Sequence, residues 1–140
     1  MLLQPIADLL KISVPDFRKV AGAANFAAVK EDLINPPAAY VIPLADVAKP
    51  SDLYGIAIEQ KVVERFAVIL AVSNVRDVRG DAVNAPLETF RRAVIDVLLG
   101  YQPTADYDPV QYGGGKVLAM DVTTLFWQLE FVTGYFERKI

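Results

Sequence analysis

The segment from Ile56 to Ser73 constrains the fold more than any other part of the chain. Strand side chains alternate between faces. Alternation here sets Val62, Glu64, Phe66, Val68, Leu70 and Val72 on one face, and Val63, Arg65, Ala67, Ile69 and Ala71 on the other. The first half is polar and alternating, whereas the second half is apolar on both faces. That pattern predicts a strand that begins in solvent and runs into the middle of a sheet. Ordinary strands have about five or six residues. A segment this long therefore predicts a bend, or an extension beyond the body of the domain.

Other elements follow from spacing and breakers. Leu2, Leu3, Ile6, Leu9 and Leu10 recur at helical intervals, with Pro5 tolerable in a first turn and Pro15 as the stop. Phe17 to Ala21 reads as a short strand, and Asn25 to Leu33 as a short helix stopped by Asn35-Pro36-Pro37. Ala38 to Leu44 reads as a strand that Pro43 places at an edge or at its own end. Ala45 to Gly55 is polar and turn-rich, and Asn74 to Asp81 is a charged loop. A helix then runs to Leu99, with Pro86 near its start and Gly100 just past its end. Leu87, Phe90, Val94, Val97 and Leu98 form its apolar stripe, with Glu88, Arg91, Arg92 and Asp96 on the outer face. Tyr101 to Pro109 is a loop. Val110–Tyr112 and Lys116–Asp121 read as two short strand pieces around Gly113-Gly114-Gly115. Thr123 to Arg138 alternates again, with Leu125, Trp127, Leu129, Phe131 and Tyr135 on one face. No internal repeat or second composition regime is present, so the 140 residues make one domain. The predicted class is α+β, a mostly antiparallel sheet with helices packed on one face.

Composition narrows function. Without cysteine there is neither a disulfide framework nor a thiolate metal site. Without histidine the commonest general base and metal ligand are missing, which excludes a Ser-His-Asp triad, a Cys-His pair and a His-bound zinc. A net charge of -3 and no basic run argue against binding the phosphate backbone. The longest clean apolar run, Ala67 to Val72, is far too short to span a bilayer, which takes about 20 residues. Residues 1–12 lack the charged start and long apolar middle of a signal peptide. The chain reads as soluble and cytoplasmic, its 54% apolar content covering an oligomer interface.

Four groups invite a chemical reading. Gly113-Gly114-Gly115 leads into a strand-like segment with no following Gly-Lys-Ser/Thr, so it is a turn or bulge and not a phosphate cradle. Asp106 and Asp108 lack the further ordered oxygen ligands of a calcium loop. Glu59, Glu64 and Glu130 are carboxylates on strands, with nothing beside them to set up acid–base work. Trp127, Phe131 and Tyr135 make an aromatic stripe flanked by Gln128 and Glu130. A nucleic-acid stacking platform would carry basic residues there instead, so the stripe is a core face. No catalytic, cofactor or metal residues are assigned.

The stretch Gln60 to Asn74 (QKVVERFAVILAVSN) combines with further features along the chain. These are Ile6-Ala7-Asp8-Leu9-Leu10, Arg79-Gly80, Leu98-Leu99-Gly100-Tyr101-Gln102-Pro103, and Trp127-Gln128 before Glu130-Phe131. In this arrangement, over nearly its full length, the chain resembles the tail terminator or tail completion proteins of long-tailed bacteriophages and prophages. The resemblance implies helices against a mixed or antiparallel sheet. It also implies a ring, usually a homo-hexamer, that stops tail-tube growth and joins tail to head. The implied partners are copies of the chain, the tail tube protein and a head-completion or connector protein, with no specific nucleic acid and no membrane. The implied location is the bacterial host cytoplasm during assembly and then the virion tail. No cofactor or catalytic residue comes with it.

From the residues themselves, the candidate protein contacts are Lys49, Asp52 and Tyr54 in the 45–55 tip, and Arg76, Asp77, Arg79 and Asp81 in the charged loop, which reads either as a solvated connector or as a subunit contact, since oligomer rims are polar and Arg-enriched. Two rival readings fit the same chemistry: another phage head–tail completion or tail-tube protein, and a small ligand-binding or regulatory module with an apolar pocket under the aromatic strand.

Overall fold

In the computed structural model of the chain, residues 2–28, 35–51, 55, 57–73 and 84–139 are described. Three helices, α1 (Leu3–Ser13), α2 (Ala23–Ala28) and α3 (Asn84–Leu98), accompany five strands: β1 (Lys19–Gly22), β2 (Ala38–Ala48), β3 (Ile58–Ser73), β4 (Gln111–Met120) and β5 (Thr124–Lys139). The strands form one mixed sheet in the order β1-β2-β3-β5-β4. Among the described residues only the β1–β2 pair is parallel; the remaining neighbours are antiparallel. The class is α+β, as the element pattern predicts.

β3 takes the centre of the sheet for the reason its composition gives. From Phe66 to Val72 every residue is buried, because both faces of the sheet are covered there. One face receives Phe66, Val68 and Leu70 with Ala39 and Val41 of β2 and Leu129 and Phe131 of β5. Over them lie Ile6 and Leu10 of α1 and Val94, Ile95 and Leu98 of α3. The apolar spacing in each helix is what turns these residues inward together. The opposite face receives Ala67, Ile69 and Ala71 with Ala38 and Tyr40, closed by Phe26 of α2 and Phe126 of β5. Thus the two longer helices share one face, and the six-residue α2 places a single ring on the other.

Helix ends follow local chemistry. Pro5 sits in the first turn of α1, where its missing N–H costs nothing. The Val14 N–H donates to the Leu10 carbonyl and closes that helix. At the far end of α3, Gly100 adopts φ +80°, the left-handed conformation that glycine reaches without strain. Glu88–Arg91 and Arg92–Asp96 pair along its outer face at 3.3 Å and 3.2 Å. The part of the predicted Asn25–Leu33 helix beyond Ala28 lies outside the described residues.

Two element assignments differ from the sequence reading. β2 continues through Pro43 to Ala48, so residues 45–48 are strand and not turn. Pro43 is tolerated because β1 pairs only as far as Val41; beyond it no described residue pairs with that side of β2, where a missing N–H leaves no described ladder bond unmade. A register shift between Pro43 and Ala45 absorbs the irregularity. The two strand pieces around the triple glycine are one strand, β4, with a bulge between Tyr112 and Gly114. Gly114 at φ +130° supplies the backbone conformation this bulge needs. The 101–110 loop is tied down at several points. The Val110 N–H donates to the Tyr101 carbonyl, the Asp108 N–H to the Gly134 carbonyl, and the Gln102 amide to the Tyr107 carbonyl.

Candidate assembly surface

The sheet is longer than its helical cover. The apolar cluster under α1 and α3 takes nothing from β3 ahead of Phe66. There the loop before β4 closes one face, with Tyr107 packed on Tyr135 at 5.2 Å between ring centroids, above the buried Val62 and Glu64. Further out, the outer half of β2 (Pro43–Ala48), the start of β3 and the end of β5 form a three-stranded arm. Residues Pro43–Ala48 are exposed on both faces. At about 3.3 Å per residue, the 16 residues of β3 span roughly 50 Å from arm tip to the opposite end. This is the extension its length predicted.

Two cross-strand pairs and one strand-to-loop pair tie the arm together. Arg138 Nε donates to Glu59 Oε2 at 2.9 Å, Arg65 pairs with Glu130 at 3.0 Å, and Lys61 pairs with Asp108. The Phe136 ring lies between Lys61 Nζ at 4.7 Å and Arg138 Cζ at 4.9 Å. Exposed ion pairs contribute little stability each, so their effect here is alignment. Two of the three carboxylates weighed for chemistry, Glu59 and Glu130, are thereby held by arginines.

The root of the arm gathers an acidic and phenolic cluster. Burial pushes the Glu64 carboxyl above its ordinary range, and the nearby Asp46 charge adds to the effect. Burial, then the charges of Glu64 and Glu137, raise Tyr107. A hydrogen bond with Glu137, together with burial, pushes Tyr135 up to about 12. Both phenols therefore stay protonated at neutral pH. Among the described residues no three acidic side chains come together to hold a metal, and no helix is long and apolar enough to cross a membrane.

Of the expected contact residues, Lys49 is exposed just past the end of β2. Its N–H donates to the Lys61 carbonyl at 3.1 Å, and its own carbonyl accepts from the Gln60 amide at 3.0 Å. Asp52, Tyr54, Arg76, Asp77, Arg79 and Asp81 lie outside the described residues. What the residue reading missed is apolar. Among the described residues, the large exposed hydrophobic side chains gather mainly in two places. Leu44, Val47, Ile58 and Phe136 lie on the arm. Val117, Leu118, Met120 and Val122 lie at the β4–β5 turn, with Val122 88% exposed. The register sets these groups at opposite ends of the sheet, since Ile58 pairs with Lys139 and Ser73 with Thr124. A signal was present in the sequence: Gln111–Met120 carries a single charge, Lys116, on what proves to be an edge strand. Natural edges are ordinarily protected by charge or proline, and this one has Lys116 alone.

Open strand edges and exposed apolar side chains at both ends of the sheet are the features of the described surface that suit contact with other proteins. The chain belongs to the phage tail terminator protein family, whose model matches residues 1–140. It is therefore a structural component of a phage tail. No curated protein matches the chain.

Proposed function

We propose that copies of this chain close into a ring on the end of the growing tail tube, stop its polymerisation and present their other face to the head-completion proteins. Membership of the terminator family over all 140 residues supports this role. The observation that carries it is the uncovered three-stranded arm, whose exposed Leu44, Val47, Ile58 and Phe136 an isolated monomer would leave in water. Self-association is heterologous and closes by rotation. One face of the ring occupies the last tube ring, so incoming tube subunits find no free surface. Tube subunits themselves stack ring on ring, whereas a terminator stops at one. The net charge of -3 suits a ring through which DNA passes, because like charges repel.

The test is mass by light scattering across a concentration series, on purified protein and on protein released from isolated tails. Six copies of the 15.4 kDa chain make about 92 kDa. A closed species of that size in either setting is expected. A monomer in both overturns the ring. Tight DNA binding by the ring at physiological salt would contradict the sliding role.

A further inference from the structure

Resting on the self-association just described, we propose that the outer edge of β4 in one copy pairs with the outer half of β2 in the next. The two meeting surfaces would carry Lys116 with Leu118, and Asp46 with Val47.

Both edges are open. β4 is the last strand of the sheet, and none of the described residues pairs with its far side. On the opposite side of the sheet, β1 leaves β2 at Val41, and residues 42–48 have no described partner on that side. Apart from Pro43, which has no N–H to give, each open edge presents backbone donors and acceptors that no described strand pairs with, and these can accept a strand. Each carries exposed apolar side chains: Val117, Leu118 and Met120 on one, Leu44 and Val47 on the other.

Direction and charge select the occupant. Along the order β2-β3-β5-β4 each strand is antiparallel to its neighbour, so β4 runs opposite to β2. A second copy in the same orientation therefore offers its β2 antiparallel to β4, and the alternation continues across the boundary. Lys116 is the single charge of β4, and Asp46 is the single charge of β2. Both are exposed, and neither takes part in a described ion pair. A two-fold β4–β4 pairing would bring Lys116 toward Lys116, and β2–β2 would bring Asp46 toward Asp46. Only the head-to-tail pairing sets opposite charges together, which cross-strand neighbours favour. Because the joining edges differ, each copy keeps one edge free until the ring closes.

The natural chain has no cysteine, so engineered thiols report cleanly. Val47→Cys and Leu118→Cys are made singly and together and treated with a short bismaleimide. The expected result is no cross-link for either single variant, dimers when the two are mixed, and a ladder of multimers for the double variant. Self-cross-linking of Leu118→Cys alone, or no ladder from protein that light scattering shows to be oligomeric, overturns the edge pairing and leaves self-association standing. A chain monomeric both in solution and on tails overturns the ring on which the pairing rests. As a second readout, Lys116→Asp or Asp46→Lys weakens association about two- to five-fold, and the double variant restores it. Failure of the double variant to recover contradicts the assignment.

Discussion

Phe66 and Phe131 face each other across β3 and β5, their rings stacked at 5.6 Å between centroids and 20° between planes. Both are fully buried. They mark where the helical cover of the sheet ends: the next pair on that face, Glu64 and Thr133, begins the root of the arm. Phe131→Ala removes the ring that also meets Tyr112 at 5.6 Å. The expected loss is about 3–5 kcal/mol in chemical unfolding, the usual cost of emptying a phenylalanine site. A loss below 1 kcal/mol would show that this pair is not packed as described.

Glu64 makes stability depend on pH in a defined sense. Its carboxyl is raised in the folded chain, mainly by burial, so the unfolded chain gives up its proton first as pH rises. The folded state is therefore favoured at this site below the ordinary carboxylate range, and that contribution is lost as pH rises through the folded value. Unfolding of wild type and Glu64→Gln at a series of pH values isolates the effect. Relative to the variant, wild type gains stability as pH falls from 7 toward 4.

Asp121 behaves in the opposite way. The Thr123 and Thr124 N–H groups each donate to its Oδ1 at 2.8 Å, and the Thr123 hydroxyl donates at 3.0 Å. These bonds hold its carboxyl below the usual range. A depressed folded value contributes stability above the unfolded range, lost as pH falls through the folded value. Protection of the Thr123 and Thr124 amides, taken against the intrinsic exchange rate at each pH, should therefore hold at neutral pH and fall in acid, and Asp121→Ala should lack it throughout.

Gly134 admits no side chain. A Cβ there would lie 2.8 Å from the Val62 carbonyl oxygen, which belongs to the neighbouring backbone and cannot rotate away. Gly134→Ala must spread β3 from β5 at the root of the arm. The expected cost is about 1–3 kcal/mol, with faster amide exchange in residues 58–64 than in residues 66–72.

Much of the fold was legible because it rests on alternation. β3 announces itself through an alternating first half that runs into a stretch apolar on both faces, and β5 through alternation. α3 does so through its stripe and the Gly100 stop. Where the reading fell short, pairing context decided. Pro43 looks like an end until β1 is seen to leave β2 at Val41, and the triple glycine looks like a break until β5 is seen to carry β4 across it. The exposed apolar surface was not legible. Charged tips drew attention at Lys49 and Arg76, whereas Val117, Leu118 and Met120 read as ordinary strand residues. Their exposure comes from β4 being outermost, a property of strand order that no local pattern encodes.

The central claim is that this chain ends tube growth. The most direct measurement is the length of tail tubes, by electron microscopy, assembled from tube protein with and without it. Tubes should stop elongating once the chain is added, each with one extra ring at a single end. Continued elongation at the same rate with the chain present would contradict the account.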